Sequence, residues 1–264
     1  MTTATVETQT TETAANYLVT LPAADLYNAL GNAQLFASKD TSLPVLNAVR
    51  LKYDAATKAL TATATDRYRM IFTLAGDAET MTTEAESFEA IIPLAQVKEM
   101  ITHLKGFKKF DDPDMQIELM DSKLEMIYYA HGNELVIQVP LMDWDQEYPA
   151  IHKLMSDIFK KKPGTPKTDI EKAAHVGSDA QFGAYASFNP SYLEDVAKVK
   201  DLRLTPSQRR SDAIDLALST RQNKPSLFRH GNWAYGMLMP IFNKDRRDEL
   251  THLVDMTDAP AWIN

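Results

Sequence analysis

Six histidines, two Asp-x-Asp pairs and one Lys-Pro-Gly-Thr-Pro-Lys run are the places where this 264-residue chain could carry chemistry. The histidines are His103, His131, His152, His175, His230 and His252. No two stand four apart, the spacing that sets a pair of imidazoles on one helix face around a metal. Asp112-Pro-Asp114 and Asp143-Trp-Asp145 offer paired carboxylates of the kind general acid–base catalysis uses. Both pairs read as turns, where Asp commonly bonds its own backbone. Lys162-Pro-Gly-Thr-Pro-Lys167 lacks the glycine spacing of a phosphate loop. There is no cysteine, so disulfides, thiolate zinc sites and cysteine nucleophiles are excluded, in keeping with a reducing compartment. The expectation is a protein that is not an enzyme, with no metal and no cofactor.

Charge is more informative. Lys and Arg number 28 against 36 Asp and Glu, a formal net charge of −8. Taken as a sum, that argues against a protein that coats a polyanion. The distribution is uneven, however, and a one-sided basic surface is compatible with an acidic total. Basic residues gather at Lys98, His103, Lys105, Lys108 and Lys109, then at His152, Lys153, Lys160, Lys161, Lys162 and Lys167, then at Lys198, Lys200, Arg203, Arg209 and Arg210. Acidic ones gather at 77–89, 111–121 and 143–147. Such segregation suits loose, sequence-independent phosphate contacts. The alternative is that lysines on helices are simply solvated surface.

The elements that position these residues form a repeat. Tyr17–Leu21 alternates as a strand, Pro22 opens a helix over 23–37, and strands follow at Ala48–Tyr53, Ala59–Ala64 and Tyr68–Leu74. The same order returns: strand Phe88–Ile92, a helix over 94–104 after Pro93, and strands Met115–Leu119, Lys123–Tyr129 and Leu135–Val139. A third copy is partial, with a strand at Phe182–Phe188, Asn189 as cap, Pro190, a helix over 191–200, and strands at Ile214–Ser219, Ser226–Arg229 and Ala234–Ile241. Two copies of a strand-helix-three-strand unit make this an α+β chain of antiparallel sheets with helices on one face. Residues 1–16, rich in Thr and Ala, read as a disordered tail rather than a leader. No apolar run of about 18 residues exists to span a membrane.

Several segments resemble the bacterial DNA polymerase sliding clamp, the beta clamp. They are Leu43-Pro-Val-Leu-Asn47, Ala64-Thr-Asp-Arg-Tyr-Arg-Met70, Tyr148-Pro-Ala150, Phe188-Asn-Pro-Ser-Tyr-Leu-Glu-Asp195 and Tyr235-Gly-Met-Leu-Met-Pro-Ile241. Residues 17–148 resemble the clamp's middle domain, and 149–242 a reduced final domain. Residues 243–264 extend past the family's end, and its first domain has no counterpart. The shortness fits a phage-encoded version acting in the cytoplasm of a bacterium or infected host.

The resemblance implies a DNA-clamp fold, with helices lining a DNA channel and sheets outside. It implies a processivity factor with double-stranded DNA, polymerase and clamp-loader peptides as partners. With six domains to a ring, two-domain chains would close as a homotrimer. It implies a peptide cleft built from Leu46, Thr65, Arg67, Tyr68, Arg69, Met70, Pro149, Leu154, Met239, Pro240 and Ile241, open to solvent and rimmed by Arg69. The alternative for Met70, Met239 and Ile241 is that they are core residues of edge strands. DNA contacts would come from Lys98, Lys105, Lys108, Lys109, Lys153, Lys160, Lys161, Lys198, Lys200 and Arg203. Helix 23–37 fits this poorly, since it holds no Lys or Arg. A different class of function is also open: a clamp-derived module that binds partner peptides, as a decoy or transcription cofactor, without encircling DNA.

Overall fold

The structure is a computed structural model that describes residues 17–77, 81–83, 86–107, 114–119, 123–130, 133–142, 148–150, 187–211, 213–217 and 225–241. The readings at 1–16, 151–176, 182–186 and 243–264 lie outside these residues.

The first unit is β1 (Tyr17–Pro22), α1 (Ala23–Ala33), β2 (Ala48–Asp54), β3 (Ala59–Thr65) and β4 (Arg69–Gly76). A two-residue strand, β5 (Thr82–Thr83), leads to the second unit: β6 (Phe88–Pro93), α2 (Leu94–Phe107), β7 (Asp114–Leu119), β8 (Lys123–Ala130) and β9 (Asn133–Pro140). The third contributes α3 (Pro190–Lys198), β10 (Ile214–Ala217), β11 (Ser226–His230) and β12 (Ala234–Leu238). A proline marks each helix start. Pro22 is extended at φ −62° and ψ 130°, which ends the strand and caps the helix. Pro93 closes β6 in the same way. Pro190 sits in the first turn of α3, where Asn189 accepts from the Ser191 N–H at 3.0 Å.

The structure differs from the sequence reading at element ends: β4 runs Arg69–Gly76 rather than Tyr68–Leu74, α2 reaches Phe107 rather than 104, α3 ends at Lys198 rather than 200, and β12 ends at Leu238 rather than Ile241. The first helix stops at Ala33 and tightens into a 3-10 turn, Gln34–Phe36. Residues 187 and 188, expected to finish a strand, have no regular structure.

The units interlock. One sheet runs β5-β1-β7-β8-β9 and the other β10-β11-β12-β4-β3-β2-β6, all pairs antiparallel. Each unit gives its first strand to the other's sheet: β1 pairs with β7, and β6 with β2. The third unit then continues the second sheet, because β12 pairs with β4. Helices α1 and α2 pack on each other; α1 lies on β3 and β4, and α2 on β2 and β6. Their buried faces fill one core with Leu21, Leu26, Leu30, Phe36, Leu51, Ile71, Ile92, Val97, Met100 and Leu104. Fully burying one such aliphatic or aromatic side chain stabilises by about 1.5–3 kcal/mol.

Candidate peptide-binding seam

The local chemistry of the Thr65–Met70 loop explains its residue types. Thr65 Oγ1 accepts from the Arg67 N–H at 3.2 Å and donates to the Arg69 carbonyl at 2.8 Å. Asp66 Oδ1 accepts from the N–H groups of Tyr68 and Arg69, both at 3.0 Å. This is the short-range bonding that lets Thr and Asp replace a ladder at a turn. The turn puts Arg67 at φ +82°, in the left-handed region that side chains with a Cβ rarely occupy. Arg67 and Tyr68 are left exposed at the tip, Tyr68 at 57%.

Arg69 does not rim a cleft, contrary to expectation. It is 6% exposed. Its guanidinium pairs with Asp66 at 2.8 Å and with Asp195 of α3 at 2.5 Å, and lies 5.4 Å from the ring centre of Phe36 and 4.7 Å from that of Tyr192. A cation taken out of water needs such compensation, and two carboxylates with two aromatic faces supply it. Burial pulls the Arg69 pKa down, but the bonds to Asp195 and Asp66 outweigh it and the net shift is upward. Burial pushes the Asp195 carboxyl up, and hydrogen bonds and charge from Arg69 and Lys198 bring it below its ordinary value. Arg69 is thus the rivet between the first and third units.

Next to it the two expected segments meet. In the β4–β12 ladder Met70 faces Met237 and Arg69 faces Leu238, and the Met239 N–H donates to the Tyr68 carbonyl at 2.7 Å. The Ile241 N–H donates to the Ser187 carbonyl at 2.7 Å. Side chains alternate across this seam. Ile71 and Leu238 point into the main core, whereas Met70, Met237, Val45, Leu227 and Tyr148 form a second buried cluster on the sheet's other face. Two glycines fit the third unit to the first. A Cβ at Gly236 would stand 2.1 Å from Phe228 Cζ and 2.5 Å from the Met70 carbonyl, so only glycine lets Phe228 cross β12 and stack on Phe36 at 5.5 Å. A Cβ at Gly31, in mid-helix, would stand 2.5 Å from Leu202 Cδ1.

Of the expected cleft residues, Leu46, Thr65, Arg69 and Met70 are buried, Met239 and Pro240 half-buried, and Arg67, Tyr68, Pro149 and Ile241 exposed, Ile241 at 48%. Met70 is therefore a core residue, as the alternative reading had it, and Ile241 is not. Leu154 lies outside the described residues. Sequence reasoning missed Met237, Leu227, Val45, Tyr148 and Tyr192. Met237 was accessible to it, two residues before Met239 on the same strand face. Tyr148 donates to the Thr63 carbonyl at 3.2 Å, and burial pushes its phenol pKa well up. Tyr192 stacks on Tyr68 at 6.3 Å beside exposed Leu193. The outcome is a surface seam in which exposed Tyr68 stacks on Tyr192 and is bonded through its carbonyl to Met239, with Ile241 exposed two residues on.

The expected DNA contacts divide. Lys98, Lys105 and Lys200 are exposed. Lys198 is committed to Glu194 at 2.7 Å and Asp195 at 3.0 Å. Arg203 is held by Asp25 at 2.8 Å and Asp201 at 2.7 Å, with a third bond inside its own loop, and so docks that loop on α1. Lys108, Lys109, Lys153, Lys160 and Lys161 lie outside the described residues. Helix α1 is buried at all but Ala24, and it carries no basic residue. Among the described residues no three His, Asp or Glu side chains are placed to hold a metal ion, and no helix is long and apolar enough to cross a membrane.

No family model and no curated protein matches the sequence. Solved structures do. A DNA polymerase sliding clamp from Pseudomonas aeruginosa superposes with a TM-score of 0.60 at 14% identity, over 90% of this chain and 69% of the other. A putative DNA polymerase III beta subunit from Eubacterium rectale gives 0.61 at 11% identity, over 92% and 68%. The beta subunit from Thermotoga maritima gives 0.56 at 13%, over 90% and 68%. The chain has the sliding-clamp fold. Antiparallel sheets with helices on one face are what the sequence resemblance implied. Within this clamp fold, the Ala64–Met70 and Tyr235–Ile241 segments occupy the junction where the third unit joins the first.

Proposed function

We propose that this protein is a clamp-type, non-enzymatic replication tether that holds a polymerase or its loading machinery beside double-stranded DNA by gripping a short partner peptide at the seam. The observation that carries the reading is the seam itself. Tyr68 and Ile241 are both exposed, and their segments, far apart in sequence, are joined by the Met239 N–H bond to the Tyr68 carbonyl. Exposed aromatic and aliphatic side chains over a firm floor suit a linear motif, and adjacent Met side chains adapt to different ones. A peptide carrying Gln followed by a Leu-Phe pair is the probe. Fluorescence anisotropy should report weak binding, since a flexible peptide loses contact energy to ordering. Tyr68→Ala with Ile241→Ala should abolish it while circular dichroism stays unchanged. Equal binding by the folded double variant would sink this site.

Enclosure of DNA is the fuller form of this reading, and six domains to a ring would require three chains. Lys98 and Lys105 on α2 are suited to duplex phosphates. Against a closed ring stand the burial of α1 and the commitment of Lys198 and Arg203 to carboxylates. These observations favour the second reading, a clamp-derived module that binds partner peptides without encircling DNA. Retention on circular DNA that is lost when the circle is cut supports enclosure; equal retention on both forms, or none, supports the module.

A further inference from the structure

Among the arginines whose side chains the structure describes, Arg67 stands apart. Arg50 pairs with Glu89, Arg69 with Asp66 and Asp195, Arg203 with Asp25 and Asp201, and Arg229 with Asp215, while Arg209 donates to the Leu204 carbonyl. Arg67 is exposed, and its guanidinium makes no ion pair or hydrogen bond among the described residues. Carboxylates are plentiful in a chain of net charge −8, but those on the segments around Arg67 are taken. Asp66 accepts from the N–H groups of Tyr68 and Arg69 through one oxygen and from the Arg69 guanidinium through the other. Asp195 and Glu194 hold Arg69 and Lys198. Asp40 accepts from the Ser42 N–H at 2.9 Å and from its hydroxyl at 2.6 Å. Those bonds, and to a smaller extent the charge of Arg67, hold the Asp40 carboxyl below its ordinary value. The backbone sharpens the anomaly. At φ +82° Arg67 occupies a conformation that glycine adopts freely and a residue with a Cβ does not. Strain of this kind collects at sites that bind. Tyr68, next in sequence, is exposed and stacks on Tyr192, so a free cation stands beside an exposed aromatic pair.

We infer that Arg67 is a specificity-determining residue of the peptide seam, and that it selects partner peptides carrying an Asp or Glu beside their apolar anchors. The inference rests on the seam proposed above and names the class of peptide that the seam takes. A guanidinium fork meets a carboxylate with two parallel N–H···O bonds, which a lysine cannot reproduce. Apolar anchors supply contact, whereas a charge beside them rejects peptides of the wrong sign. The direction of the preference is diagnostic. At long range an acidic protein favours a basic peptide. A preference for the acidic one therefore has to come from a cation at the site itself.

Two labelled probes test it. Both carry a Gln-Leu-Phe core and blocked termini, one with Asp on each side of the core and the other with Lys. Fluorescence anisotropy with the full chain at low salt should show the Asp probe binding about five-fold tighter, as much as a short exposed charge pair allows. Arg67→Gly should erase the difference and Arg67→Glu should reverse it, with circular dichroism unchanged in both. Arg67→Gly should also leave Tm equal or higher, because glycine relieves the strained backbone. A lower Tm would make Arg67 a structural residue and overturn the inference. Equal binding of the two probes by the unmodified chain, or a preference for Asp that survives Arg67→Gly, overturns the inference and leaves the seam standing. Binding of neither probe overturns the seam, and this inference with it.

Discussion

Helices α1 and α2 hold the same place in two copies of one unit, and their surroundings differ. Helix α2 buries Leu94, Val97, Met100 and Leu104 and leaves Lys98, Glu99, Thr102, His103 and Lys105 in water. That is an ordinary amphipathic surface helix. Helix α1 is buried almost all round, and its side away from the sheet carries polar groups at helical spacing: Asp25, Asn28 and Asn32. Asn32 accepts from the Lys200 N–H and donates to the Lys200 carbonyl, both at 3.0 Å; Asn28 accepts from the Leu202 N–H at 2.8 Å; Asp25 pairs with Arg203. The helix that received a neighbouring unit turned its polar stripe into a dock, and the one that did not kept a wet, basic face. One scaffold thus yields a joint or a solvent-facing surface according to what lies over its helix.

The largest way to break this contrast is at the rivet. Arg69→Ala leaves Asp66 without its ion pair and Asp195 with Lys198 alone, and breaks the link across the joint, which costs about 3–5 kcal/mol. Calorimetry should show a large drop in Tm or a separate early transition for the third unit. A shift no greater than that of an exposed arginine would mean that the joint is held by its apolar contacts instead.

Next is the dock on α1. Asn32→Leu strips both bonds to the part-buried Lys200 backbone, a loss of about 1–3 kcal/mol in urea unfolding. The polar stripe shows how far the sequence could be read. Asp25, Asn28 and Asn32 stand at i, i+3 and i+7, and Gly31 interrupts an otherwise good helix at a position that Leu202 fills. All four were visible as anomalies, but nothing local names a partner some 170 positions away. For the same reason the units, their order and the prolines that start the helices were legible, because periodicity and capping are short-range. The exchange of β1 and β6 between sheets was not, since any strand can satisfy an edge of matching pattern. Arg69 was misplaced because an arginine in a polar turn reads as solvent-facing until its carboxylates, one of them on α3, are found.

Acid should separate the joint from the rest of the fold more gently. Burial raises the carboxyls of Asp195 and Asp201, and their arginine partners more than reverse this, so both titrate below the ordinary carboxylate range. A group whose folded pKa is depressed stabilises fully above its unfolded value, near 4, and that contribution is lost as pH falls through the folded value. Stability of the third unit's docking should therefore be flat above about pH 5 and decline below about pH 4. Hydrogen exchange following α3 against α2 can resolve it, and equal acid sensitivity of the two helices would exclude these pairs as its source.

The smallest effect on stability, and the sharpest on function, belongs to α2. Lys98 and Lys105 are exposed and make no ion pair among the described residues. Replacing both by Ala should change stability by less than about 0.5 kcal/mol, as surface substitutions away from special contacts do. Their proposed work is different in kind. Each lysine that neutralises a duplex phosphate releases a counterion, so losing both should lower the slope of log affinity against log salt by about 2, whatever the DNA sequence. The same change in a joint residue such as Arg203 should weaken the fold and leave that slope alone. If the slope is unmoved by the α2 pair, the basic residues of that helix are solvated surface, and the contrast with α1 reduces to burial alone.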